Sequence, residues 1–204
     1  MLLALAAQHD FAYWRAQGMI LHGWALAAQG QGEEGLAQIR QGLAIHQTIG
    51  SAIAHTCWLG LLADGCRTGG QPAAGLAAVA EALALGERSG EQFYTAELQR
   101  LRGELLLQAG AREPGSGNSP PPAAVRSSQG RETEDCLCQA LAIARQQQAR
   151  SLELRAATSL SRVWQHEGKA AAARQILGEV YHWFTEGLET VDLQEAKVVL
   201  ETLG

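Results

Sequence analysis

The sequence repeats itself with a period of 40 residues. The matched pairs at this spacing are Gly30 and Gly70, Gly35 and Gly75, Leu36 and Leu76, Ile39 and Val79, Leu43 and Leu83, and Gly50 and Gly90. A period of roughly 20 to 50 residues is typical of solenoids, whose units bury their apolar faces only by stacking on one another. The repeat therefore predicts a stack of similar supersecondary units.

The repeat is interrupted once, inside its third copy. The spacing lengthens to 58 residues between residues 82–85 and their copy at 140–143. The additional residues fall at 111–131, a Pro-, Gly- and Ser-rich segment that holds four of the five prolines. Because such a composition does not form a packed core, we predict a mobile, disordered insertion there. We expect one domain over residues 1–204, with units at about 11–50, 51–90, 91–148 and 149–187 and a capping helix at 191–203.

Helix-forming residues dominate every unit. Ala, Leu, Gln, Glu and Arg outnumber the β-branched and aromatic residues that strands favour. Leu36, Ile39 and Leu43 are spaced i, i+3 and i+7, which places them on one face of a helix. The sequence therefore predicts an all-α fold, a right-handed superhelical solenoid of about four helical hairpins plus the capping helix.

Small residues mark both the turns and the helix contacts. We expect the first helix of each unit to end at a left-handed glycine, at Gly30, Gly70, Gly110 and Gly168. Small residues within the second helices indicate close approach of a partner helix, at Gly35, Gly75 and Ala173. Asp192 and Glu195 resemble a capping box, with Asp192 as the N-cap of the last helix.

Charge and the length of apolar runs exclude two classes of partner. The chain has a formal net charge of −5 and a pI near 5.7, whereas a protein that binds nucleic-acid phosphates needs clustered positive charge. The longest apolar run, residues 1–7, is far shorter than the roughly 18 residues of a membrane helix, and no basic region precedes it. We therefore expect no nucleic-acid partner, no membrane association and a cytoplasmic location.

Three short motifs have the residue types of catalytic or metal sites but lack the partners that such sites need. Residues 168–170, Gly-Lys-Ala, have neither the first glycine nor the hydroxyl residue of a phosphate loop. Glu179 and His182 form a single Glu-x-x-His pair, whereas a di-metal centre needs a second pair and two more glutamates. Cys136 and Cys138 point to different sides of a helix, which does not suit zinc. We expect no enzyme activity, no cofactor and no metal.

The tryptophans admit two interpretations. Large aromatic residues normally supply buried area, which favours a place in the core. The alternative is a cage for a ligand, which requires them to converge. The five are Trp14, Trp24, Trp58, Trp164 and Trp183.

The units resemble tetratricopeptide (TPR) repeats. Gly23 or Gly103 in the first helix, and Gly35 or Ala173 in the second, are similar to the small and apolar pattern of that family. The 40-residue period resembles the long-helix version found in bacterial transcription activators and signalling ATPases. This resemblance implies a module that binds other proteins and has no catalytic residues of its own.

Two longer runs resemble a narrower group. They are ALAIARQQQARSLELRAA at 140–157 and WFTEGLETVDLQEAK at 183–197. Both are similar to the C-terminal repeats of bacterial multidomain signalling proteins that pair an adenylate/guanylate cyclase-type domain with a large ATPase. The resemblance covers the chain except residues 111–131 and implies a regulatory role, with a catalytic domain upstream as a partner in cis. A small-molecule sensor is the alternative function, and a helical enzyme is a third.

In TPR proteins, partners usually dock on the concave surface lined by the first helices. The residues that the repeat register places on that surface are Trp24, Asp64, Arg67, Arg100, Glu104, Arg155, Arg162 and His166. The three arginines of the later units form a basic strip suited to an acidic peptide or a chain terminus, because guanidinium groups bind carboxylates well. The alternative is that these arginines pair with neighbouring carboxylates, at Glu97, Glu104 and Glu153.

Overall fold

The computed structural model describes residues 11–51, 53–112 and 123–204, and in these ranges it contains nine α-helices and no strand. The helices are α1 (Ala12–Ala28), α2 (Gly32–Thr48), α3 (His55–Thr68), α4 (Pro72–Ser89), α5 (Thr95–Arg112), α6 (Ala123–Gln146), α7 (Arg150–His166), α8 (Ala170–Tyr181) and α9 (Val191–Thr202). They follow the predicted order of four helical pairs and a last helix. The all-α prediction is confirmed.

The described helices group into two compact units. The first unit contains α1–α4 and the end of α5 from Gln108, and the second contains α5 from Thr95 to Leu107 and α6–α9. The expectation of one domain over the whole chain stays a prediction.

In the first unit, each helix packs on its hairpin partner, and both helices of the first hairpin also pack on α3. Helix α1 contacts α2 and α3, α2 contacts α3, and α3 contacts α4. The stripe of Leu36, Ile39 and Leu43 is buried, as the i, i+3, i+7 spacing predicts. Packing on both the partner and the following helix is the arrangement that a repeated hairpin requires.

In the second unit, α7 is the central helix and contacts α6, α8 and α9. Leu137 of α6, Leu160 of α7 and Leu177 of α8 are fully buried in one apolar cluster. Leu193 and Ala196 extend the same cluster into α9. The last helix therefore covers apolar side chains of the preceding hairpin, as we expected of a capping helix.

Glycines set the distance between α1 and α2. A Cβ atom on Gly23 would lie 2.5 Å from the carbonyl oxygen of Gly35 and 2.9 Å from the backbone nitrogen of Ile39. A Cβ atom on Gly35 would meet the carbonyl oxygen of Gly23 in turn. The two backbones are thus in direct contact, and a larger residue at either position forces them apart.

Most of the predicted helix ends are confirmed. Gly30, Gly70 and Gly168 have φ values of +88°, +66° and +76°, in the left-handed region that favours glycine. Gly110 was expected to end a helix in the same way, and this prediction is wrong because α5 continues to Arg112. Alanine and arginine follow Gly110, and both are good helix formers that let the helix continue.

Both ends of the predicted insertion are helical. Residues 111–112 belong to α5 and residues 123–131 belong to α6, so the expected disordered loop is wrong at both ends of 111–131. Residues 113–122 lie outside the described residues. The sequence just before α6 is three prolines, which are tolerated at the start of a helix, and no further proline follows. The amide of Gln129 donates to the carbonyl oxygen of Leu106 at 3.1 Å and ties α6 to α5.

The N-cap of the last helix lies two residues before the predicted one. Thr190 has an extended backbone, with ψ of 148°, and is the N-cap of α9, so the capping-box interpretation of Asp192 is wrong. Asp192 lies in the first turn instead, where its negative charge favours the helix dipole.

The tryptophans divide between core and surface. Trp58 is 9% exposed, and its indole Nε1 donates to the carbonyl oxygen of Ile53 at 3.2 Å. Trp14 and Trp183 are 51% and 56% exposed, so the core interpretation is wrong for these two. No helix within the described ranges has the length and apolar character needed to span a bilayer.

The contact between α1 and α2 yields a stability prediction. Gly23→Ala is expected to lower the free energy of unfolding by about 1–3 kcal/mol, because the added methyl group overlaps the α2 backbone. The measurement is urea denaturation followed by circular dichroism.

The matched control is Gly130→Ala in α6, where a Cβ atom meets nothing within 4 Å. Alanine there is expected to leave stability unchanged or to raise it by up to about 1 kcal/mol, because alanine favours helix. Equal effects of the two substitutions would contradict the proposed close contact.

Candidate binding residues on the first helices

In the first unit, three of the predicted surface residues form one hydrogen-bonded set. The indole Nε1 of Trp24 donates to Asp64 Oδ2 at 2.8 Å, and Arg67 Nε donates to Asp64 Oδ1 at 2.9 Å. Asp64 is 8% exposed, whereas the Arg67 side chain is 32% exposed. The carboxylate of α3 thus joins an aromatic residue of α1 to a partly exposed cation.

In the second unit, Arg100 and Glu104 belong to a buried ion network. Arg100 Nε and Nη2 donate to the two oxygens of Glu97 at 2.9 and 2.6 Å. Arg100 Nη1 lies 2.7 Å from Glu104 Oε1, which also accepts from the hydroxyl of Ser159 at 2.7 Å. Arg100 is 4% exposed and Glu97 is 2% exposed. These charges are therefore held away from solvent, and each needs its partner.

The remaining predicted residues lie on α7, and two of them reach α9. Arg155 Nη1 lies 2.9 Å from Glu97 Oε1, and Arg155 Nε lies 3.8 Å from Asp192 Oδ1. Arg162 Nη2 donates to Glu195 Oε2 at 2.8 Å. The side chains of Arg155 and Arg162 are 29% and 44% exposed. His166 is exposed in the last turn of α7, four residues after Arg162.

The expected basic strip is balanced by carboxylates. Its three arginines are paired with four acidic side chains on α5 and α9, at Glu97, Glu104, Asp192 and Glu195. Pairing with Glu97 and Glu104 agrees with the alternative that the sequence left open. Glu153 differs from that alternative, because it pairs with Arg145 and Arg150 instead.

Sequence reasoning missed Ser159 and the two acidic residues of α9. The i, i+3 spacing of Glu97 and Arg100 was visible in the sequence as a helix pair. The contacts from α7 to Asp192 and Glu195 depend instead on how α9 lies against α7. No local spacing predicts them.

The lysine of the Gly-Lys motif forms ion pairs with two carboxylates of the protein. Lys169 Nζ lies 2.8 Å from both Glu134 Oε1 and Glu167 Oε2. Glu134 Oε1 also accepts from the indole of Trp164 at 2.6 Å. The hydrogen bonds from Lys169 and Trp164 lower the pKa of Glu134, and those to Glu134 and Glu167 raise the pKa of Lys169. The lysine thus ties the α7–α8 turn to α6.

The Glu-x-x-His pair and the cysteine pair are not part of a larger site in the described residues. His182 Nδ1 lies 2.7 Å from the carbonyl oxygen of Gly178, one turn before it on the same element. Cys136 is buried, Cys138 is exposed, and burial is the main cause that raises the pKa of both thiols. Among the described residues, no group of three or more His, Cys, Asp or Glu side chains is placed to hold a metal ion.

A buried histidine in the first unit was not singled out by the sequence. His46 of α2 is fully buried, with its ring centroid 5.3 Å from that of Tyr13 and 5.9 Å from that of Trp58. Neither ring nitrogen has a hydrogen-bond partner in the described part of the chain. Burial, and to a smaller extent the charge of His55, lowers the pKa of His46. The structure therefore favours the neutral ring.

Solved structures of helical-repeat proteins are similar to this chain in fold. Two crystal structures of nearly identical TPR-like repeats, from a kinesin light chain candidate of Podosopora anserina and its Q17M variant, superpose with a TM-score of 0.62. They are 17% and 16% identical, and the matches cover 93% of this chain and 85% and 84% of the two structures. The chain has a TPR-like helical-repeat fold. No protein family and no curated protein matches the sequence.

The buried network of the TPR-like second unit yields a second stability prediction. Glu97→Gln is expected to lower the free energy of unfolding by about 3 kcal/mol, because it leaves the buried Arg100 guanidinium without its main counter-charge. Urea denaturation is the measurement. The control is Glu132→Gln, which removes an exposed pair with Arg102 and is expected to cost less than about 1 kcal/mol. A small effect at both positions would show that the network does not stabilise the fold.

His46 yields a prediction about pH. Its pKa in the folded protein is below the ordinary value of 6.5, so the unfolded state binds more protons near that pH. The stability contributed by the neutral ring is complete above pH 6.5 and is lost as the pH falls from 6.5 towards the folded pKa.

The measurement is the free energy of unfolding between about pH 7.5 and pH 5, above the range where most carboxylates titrate. The slope is expected to be smaller in His46→Gln, and to be unchanged in the control Gly130→Ala, which removes no titratable group. Equal slopes in the wild type and His46→Gln would contradict the assignment.

Proposed function

We propose that this chain is a non-catalytic protein-interaction module whose first helices bind a protein or peptide partner. TPR-like repeats generally mediate protein–protein contacts, which supports the class of function. The location of the proposed binding surface is supported by the exposed pair of Arg162 and Glu195 beside the buried network of Arg100 and Glu97. The network fixes the position of α5 relative to α7. In the exposed pair, a carboxylate of the partner is able to take the place of Glu195.

The proposed mechanism is the replacement of one carboxylate by another. Surface ion pairs such as Arg162–Glu195 contribute only about 0–1 kcal/mol, so a carboxylate of an acidic partner replaces Glu195 at little cost. At Arg155, a carboxylate of the partner replaces Asp192, whose contact is long at 3.8 Å. Glu97 meanwhile holds the Arg155 guanidinium in position. Arg100 is too buried to be reached and serves to position Glu97. In the first unit, the exposed part of Arg67 is the corresponding cation.

The chain offers a closely matched control for this proposal. The Arg162–Glu195 and Arg102–Glu132 pairs both have distances of 2.8 Å, with arginine side chains 44% and 40% exposed and glutamates 52% and 50% exposed. Arg102 reaches towards α6, whereas Arg162 reaches towards α9. Loss of either pair is expected to have the same small effect on stability. A difference in binding between the two variants would therefore come from the Arg162 surface and not from destabilisation.

The test is quantitative capture of protein partners by the tagged chain from its native cells. Arg162→Ala is expected to reduce the amount of a stoichiometric partner about fivefold or more, the loss of one charge-assisted contact, while Arg102→Ala leaves it unchanged. Equal retention of the same partners by both variants would place binding elsewhere.

We also propose that the module works as the C-terminal repeat region of a cytoplasmic bacterial signalling protein of the cyclase/ATPase type. The support is the resemblance of the runs at 140–157 and 183–197 to such proteins. The intact mass of the native polypeptide, recorded in the same capture, is expected to be far above 21.7 kDa. A native mass of 21.7 kDa would contradict this context but leave the binding proposal unaffected.

A further inference from the structure

We propose that a pocket at the turn between α6 and α7 is a second binding site, which takes a carboxylate group of an acidic peptide segment. The pocket has a volume of about 340 Å³ and lies entirely within the second unit. Arg145 and Gln148 from the end of α6, Arg150 from the start of α7, and Trp183 after α8 line it. It shares no residue with the Arg155–Arg162 surface proposed above.

A buried glutamate holds the two arginines in place. Glu153 is 3% exposed, and its two oxygens accept from Arg145 Nε at 2.8 Å and from Arg150 Nη1 at 2.7 Å. Two guanidinium groups thus share one buried carboxylate. Each guanidinium has five N–H donors and gives one of them to Glu153, so both have donors directed elsewhere. A second carboxylate on the open side supplies acceptors for these donors.

The Arg150 side chain makes a further contact, with an aromatic ring. The guanidinium carbon of Arg150 lies 5.3 Å from the ring centroid of Trp183, a cation–π contact. The Arg145 and Arg150 side chains are 45% and 37% exposed, and Trp183 is 56% exposed. The groups that contact a ligand are therefore ordered by protein contacts yet accessible to solvent. Such prior ordering lowers the entropy that binding costs.

The turn itself departs from the pattern of the other units. Gly50 and Gly90 have left-handed backbones after the second helices of the first two hairpins, with φ of +65° and +76°. Gln148 has φ of +57° at the corresponding turn, although it has a Cβ atom that disfavours this region. Its amide lines the pocket and is a further donor for a carboxylate oxygen.

The charge of the pocket favours a carboxylate over a phosphate. Glu179 also lines the pocket, where its Oε1 accepts from Gln175 at 3.2 Å. With Glu153 and Glu179 included, the two arginines are balanced by two negative charges. A group with a single negative charge fits such a site better than a phosphate dianion, because Glu179 repels the doubly charged group more strongly. Removal of the Glu179 charge is therefore expected to increase the affinity for any anion.

The experiment is an NMR titration of the ¹⁵N-labelled chain with acetyl-tetraglutamate. The side-chain N–H signals of Arg145, Arg150 and Trp183 are expected to shift saturably, and sodium chloride at equal ionic strength is expected to leave them unchanged. Glu179→Gln is expected to bind the peptide about threefold to tenfold more tightly, and Arg150→Gln at least tenfold more weakly. Because Glu179→Gln removes no contact of the buried Glu153, it tests the site even where Arg150→Gln fails to fold.

Two control variants distinguish this pocket from the other exposed arginines of the second unit. Arg102→Gln removes an exposed arginine that lies outside the pocket and is expected to leave the affinity unchanged. Arg162→Ala is expected to leave it unchanged as well, so failure of one binding site is distinguishable from failure of the other. Absence of saturable shifts, an unchanged affinity in Glu179→Gln, or tighter binding of inorganic phosphate than of the peptide would each overturn the proposal.

Discussion

The architecture depends on the close approach of the two helices in a hairpin. Gly23 of α1 and Gly35 of α2 lie so close that each occupies the space where a side chain of the other would stand. In α5, a Cβ atom on Gly103 would lie 2.8 Å from Leu137 of α6, so that hairpin depends on the same small residue. The residue after each small one lies about 100° further around the helix, away from the hairpin partner. That geometry gives Trp24 and Glu104 the positions from which they reach the next first helix, at Asp64 and Ser159 respectively.

The polar contacts between first helices differ in how firmly they are held. Arg100 and Glu97 are buried and paired, and a charge in such surroundings is strongly destabilised once its partner is removed. Arg162 and Glu195 are exposed, and their pair contributes little to stability. The first kind of contact holds the helices in register, and the second supplies the charges to which the proposed partner would bind. The proposed exchange of carboxylates would let such a surface bind an acidic ligand although its own charges are balanced.

The sequence predicts the repeat, the helices and most turns because these depend on local spacing. Left-handed glycines at Gly30, Gly70 and Gly168 and the buried stripe of α2 follow from residue type and period alone. The errors at Gly110 and Asp192 concern helix ends, where neighbouring helix formers and the preceding backbone decide the boundary. The arginine partners on α9 and the pocket at Glu153 depend on side chains brought together from separate helices, and no spacing in one element encodes them.

The most direct test of the binding account is site-specific photo-crosslinking in the native cells. A photoreactive amino acid in place of His166, at the end of α7, is compared with the same amino acid in place of Glu132 on α6. The account predicts that a partner protein crosslinks from position 166 and that position 132 gives no such product. Crosslinks to the same partner from position 132 alone, or equally from both positions, would contradict it.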